Sequence, residues 1–284
     1  MTPAQRLRVL LDRPGILVMP GCHDAMSARL IEEAGFELGF MSGFAVSAAR
    51  LGMPDTGLIS YGELADQGQN ICRAVSIPLI GDGDTGFGSA QNIKRTVQGY
   101  EHAGFAAIML EDQVAPKRCG HTEGKSVVSR DEALTRIRAA VDARDAEGGI
   151  LIMARTDARA CVGLDEAILR CRLFREIGAD ISFLEAPLNE EEMRRYCAEV
   201  DGPKMANLIE GGRTPLLSHA TLEEIGYKIA VYPLTLLNVS IRAMRSALQE
   251  LRGGRAASSV MDFEQLKSAV GFPAYYEEEA RYRI

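Results

Sequence analysis

Carboxylates crowd a few short stretches of this chain. Asp82 and Asp84 stand two apart, and Glu111 and Asp112 end a separate apolar run. Asp157 and Glu185 end two more, and Asp55 lies in a long connection. Side chains two apart on a strand point the same way, which sets Asp82 beside Asp84. A neighbouring parallel strand lies about 4.8 Å away, so Glu111 can join them. Like charges this close raise one another's pKa unless a cation stands between them. A hard divalent ion with oxygen ligands and bound water meets that need, Mg²⁺ above all, with Mn²⁺ as a substitute. A single acid at a strand end more often caps the next helix, but three converging acids mark a charge cluster of the kind active sites hold.

The second unusual stretch is Lys117-Arg118-Cys119-Gly120-His121. Cations around a thiol lower its pKa, which suits Cys119 to proton donation or nucleophilic attack. Spaced Cys/His ligands for a structural zinc are missing. Arg155, two before Asp157, can grip a substrate carboxylate, or pair with an acid to hold a barrel mouth together. Asn207 can donate a hydrogen bond to substrate, and Arg213 can bind a second carboxylate. Ser42 and Gly43 offer a hydroxyl and backbone N–H groups to an anion. Gly120 joins this substrate-binding set. The run from Gly81 to Gly86 matches G-x-G-x-x-G, but its two aspartates would repel a pyrophosphate. His23, His102 and His219 read as surface or local capping residues.

Eight short apolar runs must position these groups: 16–20, 38–42, 78–84, 106–112, 150–157, 181–186, 204–209 and 227–233. They look like strands buried on both faces. Amphipathic helical patterns, such as 25–33 and 133–145, lie between them. Gly35, Gly104, Gly178 and Gly226 each fall just before an even-numbered strand, where a helix C-cap takes a left-handed turn. Four such signals suggest four double units. Strict alternation implies an α/β fold, a (β/α)8 barrel, with a doubly wound open sheet second. No linker divides the chain, which reads as a single domain over 1–284 with a C-terminal helical extension over 262–284. The long connections 43–58 and 113–129 both follow strands and would emerge at the C-terminal face, where barrel active sites sit.

Composition narrows the classes. The chain has 284 residues, 46% apolar and 25% charged, which is ordinary for a globular protein. Its formal charge of −7 argues against nucleic acid as a partner. No apolar run is long enough to span a bilayer, and the apolar stretch before Arg13 and Pro14 is too short for a signal-peptide core. Six scattered cysteines without a CxxC pair are expected as reduced thiols in a cytoplasm.

Taken together, Asp82-Gly83-Asp84-Thr85-Gly86-Phe87-Gly88, Leu110-Glu111-Asp112-Gln113, the Lys117–His121 loop, Ala154-Arg155-Thr156-Asp157 and the stretch from Asn207 to Pro215 resemble the isocitrate lyase/phosphoenolpyruvate mutase superfamily. The similarity runs from Met19 to Leu234. It implies a (β/α)8 barrel whose last helix is swapped between subunits, in a homotetramer of paired dimers, and it implies Mg²⁺. Asp82 would be a direct metal ligand, with Asp55, Asp84 and Glu111 holding metal-bound waters. Ser42, Gly43 and Phe44 would line an α-keto acid, and Arg155 would bind its carboxylate. Cys119 would be the proton donor of the lyase branch. His121, Glu185 and Asn207 match further active-site positions, and the base would be Glu185 or a metal-held acid.

Methylisocitrate lyases, dimethylmalate lyases and carboxyphosphoenolpyruvate mutases share the Cys119 loop. Phe44 stands where isocitrate and methylisocitrate lyases commonly carry Gly. Pro233 stands where oxaloacetate hydrolases tend to carry Ser, which argues against that activity. The resemblance therefore implies a carbon–carbon lyase acting on a small carboxylate, a 2-alkylmalate or 2-methylisocitrate. The alternatives are an oxaloacetate decarboxylase or a carboxyphosphonoenolpyruvate phosphorylmutase on the same metal site. A non-catalytic metabolite-binding barrel is disfavoured by the intact acids, Arg155 and Cys119.

Overall fold

The computed structural model describes residues 1–121, 124–144 and 148–283. Asp145, at the end of the expected helix 133–145, and Ile284 lie outside them. In chain order, α1 (Pro3–Asp12) is followed by β1 (Leu17–Cys22), α2 (Ala25–Glu33), β2 (Gly39–Met41), α3 (Gly43–Leu51) and α4 (Tyr61–Arg73). Next come β3 (Leu79–Asp82), α5 (Ala90–Ala103), β4 (Ala107–Glu111), α6 (Arg130–Ala143), β5 (Leu151–Thr156) and α7 (Ala158–Cys161). Then follow α8 (Leu164–Ile177), β6 (Ile181–Leu184), α9 (Glu190–Glu199), β7 (Met205–Asn207), α10 (His219–Ile225) and β8 (Ile229–Tyr232). The last helices are α11 (Thr235–Arg252), α12 (Phe263–Val270) and α13 (Phe272–Ala280).

All eight expected strands form. They pair in parallel in the order β6-β5-β4-β3-β2-β1-β8-β7. A parallel bridge between Ser182 and Lys204 joins β6 to the approach of β7 and closes the ring. This is the expected (β/α)8 barrel; the open-sheet alternative lacks that closure. Every residue of β3, β4, β5 and β6 is buried, so these strands read as unbroken apolar runs rather than alternating ones. Barrel side chains such as Met19, Phe40, Ile80, Met109, Met153 and Val231 share one cluster with Ala4, Leu7 and Leu10 of α1. The strand interior is thus a packed core, and α1 seals it. Burying such a side chain contributes roughly 1.5–3 kcal/mol relative to leaving it in water. Two further clusters fill the space between strands and outer helices.

Apart from β1, which runs two residues past its expected end, the expected strands are one or two residues too long at their C-terminal ends. β3 stops at Asp82, and Asp84 takes a left-handed φ of 48°. Its N–H donates to Asp82 Oδ1 at 3.0 Å. A turn, not strand alternation, therefore brings the two acids together. Ala186, just after Glu185, also has a positive φ of 56°. Such backbone strain in a residue with a side chain costs about 1–3 kcal/mol and gathers at functional sites. The four expected glycines adopt left-handed φ values between 84° and 111° at helix ends.

The chain divides into two compact units, Met1–Leu236 and Leu237–Ile284. The boundary falls inside α11, ahead of the expected extension at 262. Within the second unit, Asp262 and Gln265 form a reciprocal cap that starts α12, and Gly271 ends it at φ 94°. No residue of α12 or α13 is buried, although Phe263, Leu266, Phe272, Tyr275 and Tyr276 lie on them.

Candidate active site

The acids, the thiol loop and Arg155 meet at the C-terminal end of the barrel. One cavity is lined by Ser42, Phe44, Asp55, Asp82, Lys117, Cys119, Gly120, His121, Arg155, Glu185 and Asn207, and its empty space is about 480 Å³. Phe183, Ile209, Pro233 and Leu234 give it an apolar wall. Ser42 caps α3, and the N–H of Gly43 donates to Asp82 Oδ2 at 3.1 Å. A Cβ on Gly43 would fall 2.7 Å from that oxygen, so the close approach requires glycine. Asp84 and Glu111 are buried beneath the cavity.

Lys117 was expected to polarise the thiol. Instead its Nζ lies 2.6 Å from Asp55 and 2.8 Å from Asp84, all three side chains being buried. Burial pushes the Asp84 carboxyl up to about 7; Lys117 opposes the rise, and Asp82 and Asp55 add to it. Glu111 is raised well above the usual carboxylate range by burial, against the pull of Arg155. The facing registers of β4 and β5 set Glu111 opposite Arg155, whose Nη1 is 3.2 Å from Oε2. Glu111 Oε1 is buried without a hydrogen-bond partner among the described residues. A buried polar oxygen of that kind is costly unless a cation or water meets it. Among the described residues no three His, Cys, Asp or Glu side chains converge as a direct ligand cage. Mg²⁺ does not need one: it keeps several waters and takes one or two carboxylates. The donor set fits such an ion.

Cys119 corrects the sequence reading. Burial raises its thiol pKa; a hydrogen bond from the His121 backbone and the charge of Arg155 oppose the rise, and Glu185 adds to it. The thiol is held protonated, which suits a proton donor and not a thiolate nucleophile. The described part of the loop is held from several sides. Gln113 brackets Arg118, accepting from its N–H at 2.9 Å and donating to its carbonyl at 2.8 Å. The loop legs pair antiparallel at Gln113 and Val127.

Arg155 is buried among Asp157, Glu111 and Glu185, which hold it charged. Its Nε donates to Asp157 Oδ2 at 2.8 Å, and Phe183 lies under the guanidinium at 5.3 Å. Although burial opposes it, Arg155 and Lys125 hold Asp157 down at about 2. His121 Nδ1 accepts the N–H of Arg213 at 3.0 Å, and its Nε2 lies 2.7 Å from Glu185 Oε1. That network assigns the ring proton to Nε2. Asn207 Nδ2 donates to Glu185 Oε2 at 3.1 Å. Against its burial, Arg155 and His121 keep Glu185 below the usual carboxylate range. A carboxylate so well supplied with donors is a weak base and a good anchor.

Arg213 is the expected residue that does not arrive. The residue is exposed and is not among those that line the cavity; its N–H reaches the site through His121. One residue, Lys125, and one role, the pairing of Lys117 with acids, went unnoticed in the sequence. Lys125 had a faint signal, a lysine after a glycine in a long loop. Asp112 is structural: it accepts from Thr156 Oγ1, the N–H of Asp157 and Arg170.

The model of the family described as phosphoenolpyruvate phosphomutase matches residues 7–252. The chain belongs to this family. As a member of the phosphoenolpyruvate phosphomutase family it is an enzyme of the isocitrate lyase/phosphoenolpyruvate mutase superfamily. It is 44% identical to the 2,3-dimethylmalate lyase of Eubacterium barkeri over 99% of both chains. Its fold is similar to oxaloacetate acetylhydrolase in complex with 3,3-difluorooxalacetate, at 34% identity, TM-score 0.94, and coverage of 98% and 96% of the two chains. It is also similar to phosphonopyruvate hydrolase in complex with oxalate and Mg²⁺, at 28% identity and TM-score 0.88 over 99% of each chain.

Proposed function

We propose that this chain is a Mg²⁺-dependent carbon–carbon lyase. Its substrate is a 2-hydroxy acid of the 2-alkylmalate or 2-methylisocitrate type, and its products are an α-keto acid and a second carboxylate. One observation carries the reading: a thiol kept protonated by burial lines the same cavity as Asp82 and Arg155. Asp82, with Asp55, Asp84 and Glu111, would hold Mg²⁺. When bound, that ion supplies charge stabilisation to the oxygens of the keto acid.

The rest is work for the side chains. Arg155, pinned by Asp157, offers its guanidinium to the keto-acid carboxylate. The Ser42 hydroxyl and Phe44 border that end of the cavity. The hydroxyl proton leaves to a base among the acids, and the bond between the hydroxyl carbon and its neighbour breaks. Its electron pair passes to the carbon next to the departing carboxylate. Cys119 Sγ–H then protonates that carbon as a positioned general acid. Glu185, His121 and Asn207 form a fixed chain that holds the Cys119 turn in place. The apolar wall of Ile209, Pro233 and Leu234 fits an alkyl substituent.

Assembly is part of the proposal. The uncovered apolar residues of α12 and α13 support a homotetramer built from helix-swapped dimers. Light scattering on the full chain and on one cut before α12 tests this; equal mass per particle in chain copies would refute the swap. Cytoplasmic residence is supported by six cysteines outside any disulfide, and among the described residues no helix is long and apolar enough to cross a membrane.

A pyruvate-release assay with Mg²⁺ tests the chemistry. 2-Methylisocitrate, 2,3-dimethylmalate, other 2-alkylmalates and oxaloacetate are run with wild type and Cys119→Ser. Release from a hydroxy acid that the variant loses establishes the lyase. Turnover of oxaloacetate alone that survives the variant makes the protein a decarboxylase instead.

A further inference from the structure

We infer that Lys125 is a positioning residue that couples carboxylate binding at Arg155 to the placement of Cys119. The inference deepens the lyase reading and rests on it for the role of the thiol. The Lys125 side chain is buried, and its Nζ lies 2.8 Å from Asp157 Oδ1. The same Nζ donates to the carbonyl of Gly120, the residue after Cys119. Asp157 also takes Arg155 Nε on Oδ2 at 2.8 Å and Nη2 on Oδ1 at 3.2 Å. One carboxylate therefore fixes both the guanidinium that meets substrate and the ammonium that holds the thiol's turn.

The turn rests directly on that guanidinium. A Cβ on Gly120 would fall 2.4 Å from Arg155 Nη2 and 2.6 Å from Glu185 Cγ. Cys161 Sγ on α7 donates to the Lys125 carbonyl at 3.5 Å, which steadies the backbone from the far side. A charge partner for Asp157 alone would not need to reach Gly120, since Arg155 already occupies both oxygens. The second contact of Lys125 is to the loop, and that is what a clip requires. When substrate draws on Arg155, the shared carboxylate carries the change to the loop through contacts, without any new element.

Alkylation of Cys119 by iodoacetamide reads the clip independently of turnover. Cys119 is followed by peptide mass in full-length protein with Mg²⁺, with and without oxalate, and oxalate binding is measured by calorimetry. In wild type, oxalate held at Arg155 should slow alkylation about tenfold or more by covering the thiol and steadying the turn at Gly120. In Lys125→Met, oxalate should still bind within about threefold, while the protection falls below about twofold. On the hydroxy acid cleaved by wild type, kcat should drop about 100-fold with KM nearly unchanged. Lys125→Arg should restore much of the protection. Full protection in Lys125→Met overturns the proposal. So does a loss of oxalate binding and thermal stability together, which would make Lys125 a structural counter-charge only. Wild type that is protected by oxalate yet cleaves no hydroxy acid would leave the clip standing and remove the lyase reading.

Discussion

Replacing Lys117 with Met removes an ammonium from between two buried acids and keeps most of the stem. Nζ lies 2.6 Å from Asp55 and 2.8 Å from Asp84. Breaking a buried ion pair from one side costs about 3–5 kcal/mol, because a charge is left without its partner. The orphaned acid can escape by taking a proton, so the cost depends on pH. Asp84 stands at about 7 with Lys117 present, against an ordinary 3.8, because it is buried. Between those values the folded chain binds more protons than the unfolded one. Stability therefore falls as pH rises through that window, in wild type as in the variant. Without Lys117 the Asp84 value climbs further, and the window extends to higher pH. At pH 5.5 Asp84 is protonated in both proteins, and they should differ least. At pH 8 wild type has ionised Asp84 while the variant must still hold its proton, and the gap should be full. A chain of this size loses about 2 °C of Tm per kcal/mol, so the fall at pH 8 should be about 6–10 °C. Thermal melts of both proteins in chelator at several pH values measure it. A fall of the same size at pH 5.5 and pH 8, or none at all, would refute the reasoning.

Glu111→Gln should fold and should weaken Mg²⁺ binding about 10-fold or more by calorimetry, since an amide cannot ionise toward the ion as the carboxyl can. Gly120→Ala should lose about 10²-fold in kcat/KM for the cleaved hydroxy acid with an unchanged circular dichroism spectrum, because its methyl meets Arg155 and Glu185. Mg²⁺ affinity should weaken as pH falls from 8 to 6, because Asp84, at about 7, must then give up a proton to meet the ion. Titration in buffers of different ionisation heat reads that proton directly; no proton release at pH 6 would contradict it.

The barrel could be read in advance because its strands are buried on both faces and so stand out as apolar runs. The acids at their ends could be read for a related reason: a carboxylate has no business closing an apolar run unless it is needed there. What the reading got wrong were directions. Asp84 looked like one more strand residue, but the chain turns at Gly83 with Asp84 in a left-handed conformation. Lys117 looked like a partner for the neighbouring thiol. The Gln113 bracket and the ladder at Val127 turn it toward Asp55 instead, and both depend on contacts across the loop. Arg213 looked like a second carboxylate grip, yet its contribution is a backbone N–H to His121. A side chain's type is visible in sequence, while its heading is set by loop closure that no local spacing records.

The ring of strands is not equally stitched. β4 and β5 are matched at five residue pairs, whereas among the described residues β6 meets the approach of β7 at one bridge, Ser182 with Lys204. Glu185 and Asn207 stand on the two lips of that joint, hydrogen-bonded at 3.1 Å. Under rising denaturant a cut ring gapes first where it was joined. The enzyme should therefore go silent at urea concentrations where its helical signal is still whole, and recover at once on dilution.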